Sequence, residues 1–219
     1  SKGIIVLNTP YGPTRAVAEF TLAMTLSLLR RIPQADARLK QKIWEKQMGS
    51  LLYEKVIGII GLGRIGRMVA ELFRGIGNKV ISHDLLPDAE WANENGIEVT
   101  SFQNVLENAD ILTLHVPSIK GEAPIVGSNE MNHMKAGSYL INIARAGVVD
   151  ELSLYNALVS GKIAGAAIDV FSTEPYDGEL CGLDNVVLTP HLGSYAREGK
   201  LQMEIDATQN LIDALRNGI

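Results

Sequence analysis

The strongest constraint on the fold is a glycine-rich segment, Gly61-Leu62-Gly63-Arg64-Ile65-Gly66, between an apolar run and a helix-forming run. Residues 56–60 before it are typical of a buried parallel strand, and residues 64–73 after it are typical of a helix. In such a unit Gly61 permits a tight turn, Gly63 lets the backbone approach a pyrophosphate at the positive end of the helix, and Gly66 lets the helix lie close to the strand. The segment therefore predicts a dinucleotide-binding fold.

The next strand-like run, residues 79–83, ends at Asp84, about twenty residues beyond the glycine-rich segment, as expected for this fold. A carboxylate at this position accepts hydrogen bonds from the hydroxyl groups of the adenosine ribose, and it repels a 2′-phosphate. The sequence therefore favours NAD over NADP as the cofactor.

Strand-like and helical patterns alternate through the rest of the chain. Strands are predicted at residues 111–114, 139–142, 164–168 and 186–188, with helices at 14–30, 101–108, 128–134 and 151–160. The first ten residues predict a short strand that runs into a turn. This alternation indicates an α/β protein with a doubly wound parallel sheet of the Rossmann type.

Polar residues follow the ends of several predicted strands, and the carboxyl ends of parallel strands share the edge at which such sheets bind ligands. These residues are Asp84, His115, Arg145, Asp169 and His191.

Arg145 and His191, together with Glu174, form a set suited to the reduction of a 2-oxo acid. A guanidinium binds a carboxylate, an imidazole gives or takes a proton, and a carboxylate holds the imidazole. Any one of these residues alone is more often a core or surface group. The prediction therefore depends on the set occurring together with the glycine-rich segment.

Composition excludes several other classes of function. With 219 residues, 46% of them hydrophobic, the chain can form one large core, and its net charge of −5 without a basic cluster argues against a nucleic-acid partner. The apolar stretch at residues 21–29 is too short to span a membrane. Cys181 is the only cysteine, which excludes an intrachain disulfide and suits a reducing cytoplasm. The four histidines lack the paired spacing of metal ligands, so no metal site is expected.

Six separate blocks resemble the D-isomer-specific 2-hydroxyacid dehydrogenases in matching order, and together they cover nearly the whole chain. The blocks are residues 6–10 with 16–19, 58–66, 115–117, 142–145 with 149–151, 165–175 and 189–191. Within the family, residues 164–171, 173–175 and 183–186 are most similar to the 3-phosphoglycerate dehydrogenases.

The resemblance implies a role for each site residue. Arg145 would bind the substrate carboxylate and polarise the C2 oxygen, His191 would donate or accept the proton, and Glu174 would orient His191. Asp169 would hydrogen-bond the nicotinamide carboxamide, with a simple strand-end cap as the alternative. The other expected cofactor contacts are Gly61, Gly63, Arg64, Ile65, Gly66, Asp84, His115, Val116, Pro117, Ala144 and Gly193.

The implied activity is transfer of a hydride between a D-2-hydroxy acid and NAD, with 3-phosphoglycerate in serine biosynthesis as the expected substrate. Reduction of glyoxylate or hydroxypyruvate, or another D-2-hydroxyacid dehydrogenase activity, is an alternative within the family. An NAD-sensing module similar to the family's corepressors is the alternative of a different class.

The resemblance also implies a domain organisation. Residues 1–13 are expected to be a linker and a stub of a substrate domain, residues 14–195 the NAD-binding domain, and residues 196–219 a segment whose helix, 196–217, returns towards that substrate domain. The chain by itself is then expected to bind NAD and to turn over little substrate. The apolar residues of 14–30 and 32–48, including Ile43 and Trp44, exceed what one sheet face needs and predict a homodimer through the NAD-binding domain.

Overall fold

A computed structural model of the protein describes residues 5–9, 11–118 and 121–216, and in these residues seven parallel strands form one sheet. In chain order the strands are β1 (Val56–Ile60), β2 (Lys79–His83), β3 (Glu98–Val99), β4 (Ile111–Leu114), β5 (Ser138–Asn142), β6 (Ile163–Ile168) and β7 (Val186–Leu188). Their order across the sheet is β3-β2-β1-β4-β5-β6-β7. From β1 the chain adds β2 and β3 on one side, and then it adds β4 to β7 on the other side. This switch between β1 and β4 creates a ligand-binding crevice at the carboxyl ends of the two strands. The predicted doubly wound fold is confirmed.

Helices cover both faces of the sheet. In chain order the helices of the described residues are α1 (Thr14–Leu29), α2 (Ile32–Lys40), α3 (Arg64–Ile76), α4 (Ala89–Glu94), α5 (Phe102–Asn108), α6 (Ser128–His133), α7 (Glu151–Val159) and α8 (Arg197–Arg216), with a short 3-10 turn at Glu179–Gly182. Helices α2 and α8 have no buried residue and lie outside these two layers. Helices α1 and α3 share one buried apolar cluster with the sheet, and α5, α6 and α7 share another on its opposite face.

The two apolar clusters explain why the strands are apolar without alternation. Ile57 and Ile59 of β1 belong to the cluster with α1 and α3, whereas Ile60 belongs to the cluster on the other face. Successive side chains of a strand point to opposite faces of the sheet, so a strand covered on both faces must be apolar at nearly every position.

The structure differs from the sequence predictions in three places. Residues 5–9 are irregular and mostly exposed, so the strand predicted at the start of the chain is wrong there, and residues 1–4 and 10 lie outside the described residues. Helix α8 begins at Arg197, and position 217 at the predicted end is not among the described residues. The sequence did not predict α2, α4 and β3. Helix α2 has no buried residue and α4 buries only Ala92, so neither has an apolar stripe, and β3 has only two residues.

Candidate active site

The turn between β1 and α3 presents the glycine-rich backbone to the crevice. Gly61 has a φ of +94°, in the left-handed region that glycine adopts readily. A Cβ atom at Gly66 would lie 2.0 Å from the Gly61 carbonyl oxygen, whereas one at Gly63 would meet no atom within 4 Å. The first α3 turn can therefore lie against the strand end, and the open side of Gly63 leaves room for a pyrophosphate. These residues fit a dinucleotide cofactor.

Asp84 connects the loop after β2 to this turn. Its Oδ2 accepts a hydrogen bond from the Leu62 N–H at 2.6 Å, and its Oδ1 accepts one from the Leu86 N–H at 2.8 Å. Each carboxylate oxygen has a second lone pair, so Asp84 keeps acceptors for ribose hydroxyls. Its contact with the ribose stays a prediction.

His115 follows β4 and lies behind the glycine-rich turn. Its imidazole Nε2 is 3.0 Å from the Thr113 hydroxyl, and burial lowers the pKa of the imidazole to about 4. Val116 packs beside Gly61, and Pro117 is exposed at the same strand end. The neutral imidazole of His115 suits a supporting position beside the cofactor better than proton transfer.

Asp169 follows β6, is fully buried, and holds the loop that carries His191. Its carboxylate accepts hydrogen bonds from the Thr189 hydroxyl at 2.6 Å, the Leu192 N–H at 2.7 Å and the Gly193 N–H at 2.8 Å. Its backbone carbonyl also accepts a hydrogen bond from the His191 N–H at 3.0 Å. In the structure Asp169 thus caps the strand end, and its contact with the nicotinamide carboxamide stays a prediction.

Glu174 and His191 are in direct contact. The imidazole Nδ1 lies 3.3 Å from each carboxylate oxygen, and the Phe171 N–H donates to Oε1 of Glu174 at 3.3 Å. Hydrogen bonds from His191 and from the Phe171 N–H lower the pKa of Glu174. Because Nδ1 faces the carboxylate, the second ring nitrogen, Nε2, is available to a substrate. A cavity of about 440 Å³ adjoins the pair, lined also by Phe171, Tyr176, Leu188 and Pro190.

Arg145 lies on the loop after β5, the strand beside β6. Its side chain is exposed, and its Nη1 donates to the Ala144 carbonyl at 2.7 Å. Asn142 fixes the loop through a hydrogen bond from its Nδ2 to the Arg145 carbonyl at 3.3 Å. The guanidinium thus stands at the same sheet edge as Glu174 and His191, with most of its donors available to a ligand.

Two contacts near the cofactor cradle, the glycine-rich turn of residues 61–66, were not predicted from the sequence. The Arg64 guanidinium carbon lies 5.1 Å from the centre of the Tyr11 ring, and the Arg67 guanidinium carbon lies 4.8 Å from the centre of the Trp91 ring. Nothing in the local pattern signals the Tyr11 contact. Arg67 lies one residue past the glycine-rich segment and carries the only available signal, a cation near the predicted pyrophosphate site.

The described part of the chain carries neither a metal-binding cluster nor a membrane-spanning helix. There, no three His, Cys, Asp or Glu side chains are grouped as a metal ion requires. Of its helices, none combines the length and apolarity of a membrane span.

The family model described as D-isomer specific 2-hydroxyacid dehydrogenase, NAD binding domain, matches residues 22–193. Among curated relatives, the protein named D-3-phosphoglycerate dehydrogenase from Archaeoglobus fulgidus is 38% identical over 216 residues, covering 97% of this chain and 41% of that protein. The enzyme of the same name from Bacillus subtilis is 40% identical over 213 residues, covering 96% of this chain and 41% of that protein. The chain thus spans about two fifths of the length of these relatives.

Solved structures show the same fold. A glyoxylate reductase from Paecilomyes thermophila superposes with a TM-score of 0.91 at 30% identity, covering 99% of this chain and 66% of that one. A D-lactate dehydrogenase from Aquifex aeolicus, complexed with NAD and lactic acid, has a TM-score of 0.87 at 32% identity, covering 99% of this chain and 71% of that one.

Proposed function

The chain belongs to the D-isomer-specific 2-hydroxyacid dehydrogenase family as its NAD-binding domain, and we propose that the protein that carries it oxidises a D-2-hydroxy acid with NAD. The observation that carries the proposal is the Glu174–His191 pair, with Nδ1 3.3 Å from the carboxylate and Nε2 free. The pair lies at the sheet edge that also holds the cofactor cradle, so a proton acceptor and a hydride acceptor can face one substrate.

Each residue of the site has its own role in the proposed reaction. NAD, which the glycine-rich turn of residues 61–66 would hold, would supply the hydride acceptor for C2 of the hydroxy acid. Nε2 of His191 takes the hydroxyl proton, and the Glu174 carboxylate stabilises the imidazolium that forms. Arg145 binds the substrate carboxylate through its paired N–H donors. In the reverse direction His191 returns the proton to the C2 oxygen.

The proposed substrate is 3-phosphoglycerate, which would be oxidised to 3-phosphohydroxypyruvate in serine biosynthesis. Support comes from the relatives named D-3-phosphoglycerate dehydrogenase, at 38% and 40% identity. Glyoxylate or hydroxypyruvate reduction, or another D-2-hydroxyacid dehydrogenase activity, is the alternative, supported by a solved neighbour named glyoxylate reductase.

A substrate panel tests the proposal. The protein that carries this chain is assayed for NAD reduction with 3-phosphoglycerate, D-glycerate and D-lactate, each beside its L-isomer. The proposal predicts the highest kcat/KM with D-3-phosphoglycerate and little activity with the L-isomers. A preference for D-glycerate would favour the hydroxypyruvate reductase alternative, and NAD binding without turnover of any acid would favour the NAD-sensing module.

Two surfaces support proposals on assembly. Ile43, Trp44 and Met48 follow α2 with 46%, 84% and 93% of their surface exposed, and we propose that they bury this surface in a homodimer of NAD-binding domains. Helix α8 exposes Leu201, Leu211 and Leu215, which suits packing on a substrate domain.

A further inference from the structure

Arg67 of α3 connects the glycine-rich turn to the loop after β2. Its Nε donates to the Leu62 carbonyl at 3.1 Å, and its Nη1 lies 3.1 Å from Oδ2 of Asp88. The guanidinium also lies over the Trp91 ring. About a third of the Arg67 side chain, 34%, is exposed, so the cation is within reach of a ligand on the turn.

Arg67 and Asp84 both form hydrogen bonds with the backbone of Leu62. Asp84 accepts from the Leu62 N–H, whereas Arg67 donates to the Leu62 carbonyl. The Arg67 guanidinium and the Asp84 carboxylate, which is assigned to the adenosine ribose, therefore both contact Leu62. A phosphate on the ribose 2′-oxygen would enter this same space.

In the structure the Asp88 carboxylate forms an ion pair with the Arg67 guanidinium. A guanidinium near the ribose is the group with which dinucleotide-binding domains accommodate a 2′-phosphate, because its paired N–H donors match phosphate oxygens. The Trp91 N–H and the charge of Arg67 lower the pKa of Asp88, so its carboxylate is ionised and competes for the guanidinium at neutral pH.

We propose that Asp88 is a second determinant of cofactor choice, which pairs with Arg67 and so withholds this guanidinium from a 2′-phosphate. The proposal rests on the assignment of Asp84 to the ribose. Asp84 repels the phosphate directly, whereas Asp88 acts through Arg67. Replacing Asp84 alone should then reduce the preference for NAD over NADP only in part.

The test is calorimetric titration of NAD and NADP into the 219-residue chain and its variants. Asp88→Asn removes the charge but keeps an oxygen that can accept from the Trp91 N–H, since asparagine caps helices as well as aspartate does. Asp84→Ser should weaken NAD binding and should raise the affinity for NADP relative to the affinity for NAD. Adding Asp88→Asn to Asp84→Ser should strengthen NADP binding by a further three- to tenfold or about 1 kcal/mol, as for a freed charge-assisted hydrogen bond.

A charge-matched control separates the pairing from a general loss of negative charge. Glu90 lies in the first turn of α4 and is exposed, so Asp84→Ser with Glu90→Gln removes one charge from the same helix. This variant should bind NADP within about twofold of Asp84→Ser, because Arg67 pairs with Asp88 and the charge of the exposed Glu90 side chain is screened by solvent. Arg67→Gln added to Asp84→Ser/Asp88→Asn should abolish the gain, and thermal melting verifies that each variant is folded.

The outcomes distinguish the contact of Asp84 with the ribose from the effect of Asp88 on Arg67. An unchanged NAD preference in Asp84→Ser would overturn the ribose assignment and the proposal together. A shifted preference in Asp84→Ser that Asp88→Asn does not increase would overturn the role of Asp88 alone and leave the proposed function intact. An equal gain from Glu90→Gln, or a gain that survives Arg67→Gln, would show that Arg67 does not receive the phosphate.

Discussion

Nδ1 of His191 lies 3.3 Å from both carboxylate oxygens of Glu174, although the two residues are on different loops. The contact depends on Asp169, which holds the His191 loop through its carboxylate and its backbone carbonyl. The backbone of His191 has a φ of +57°, a conformation that costs a non-glycine residue about 1 kcal/mol or more and persists only where the surroundings fix it. A buried carboxylate thus positions the proposed acid–base residue.

Replacement of Glu174 by glutamine should shift the pH–rate profile. Hydrogen bonds lower the pKa of Glu174, so its carboxylate is ionised at neutral pH and favours the imidazolium of His191. Without that charge, the imidazolium formed during oxidation loses its ion-pair partner, so kcat/KM should fall and its dependence on pH should no longer match that of the wild type. The measurement is kcat/KM against pH for both proteins, with Glu179→Gln as the control; superimposable profiles of wild type and Glu174→Gln would remove Glu174 from the mechanism.

Replacement of Asp169 by asparagine should destabilise the chain and the His191 loop together. The amide nitrogen would face N–H donors in place of one acceptor oxygen, and leaving such buried partners unsatisfied costs about 2–4 kcal/mol. Urea unfolding of the 219-residue chain measures the loss. Asp177→Asn, in the loop after Glu174, is the control and should change the free energy of unfolding by less than about 0.5 kcal/mol; equal stability of Asp169→Asn and wild type would contradict the capping role.

The sequence predicted the elements that leave a local pattern. Apolar strands such as Val56–Ile60 and the glycine-rich turn can be predicted, because the sequence pattern that indicates each element lies within the few residues that form it. The donors that bind the Asp169 carboxylate and the pairing of Arg67 with Asp88 could not be predicted, since their partners lie about twenty residues away and meet only in the folded sheet. Side-chain contacts between loops follow from tertiary packing, and no periodicity signals them.

The thermal stability of the chain should carry a pH dependence from His115. Its pKa is about 4 in the folded state against 6.5 for an ordinary histidine, so the unfolded chain binds more protons between these values. This contribution to stability is complete above pH 6.5 and is lost as the pH falls towards 4. In His115→Gln the midpoint of thermal unfolding should therefore fall less between pH 6.5 and 4 than in wild type, with His133→Gln, at an exposed site, as the control.

Homodimer formation should depend on the exposed residues that follow α2. Introducing a charge at Trp44 or Met48 should dissociate the dimer, because a buried interface does not accommodate an unpaired charge. Leu152→Glu, at an exposed leucine of α7 on the opposite sheet face, is the control and should leave the dimer intact. Light scattering measures the mass of each variant; a monomer mass for the wild-type chain at high concentration would count against the interface.

The most direct test of the account is the rate of NAD reduction by the protein that carries this chain, with wild-type His191 and with His191→Asn. If His191 transfers the proton, the substitution should lower kcat/KM for the preferred D-2-hydroxy acid by about 10²–10⁴-fold. The dissociation constant for NAD should stay within about twofold, because His191 contributes to proton transfer and not to the cofactor cradle at Gly61–Gly66. A His191→Asn protein that reduces NAD at the wild-type rate would contradict the proposed mechanism.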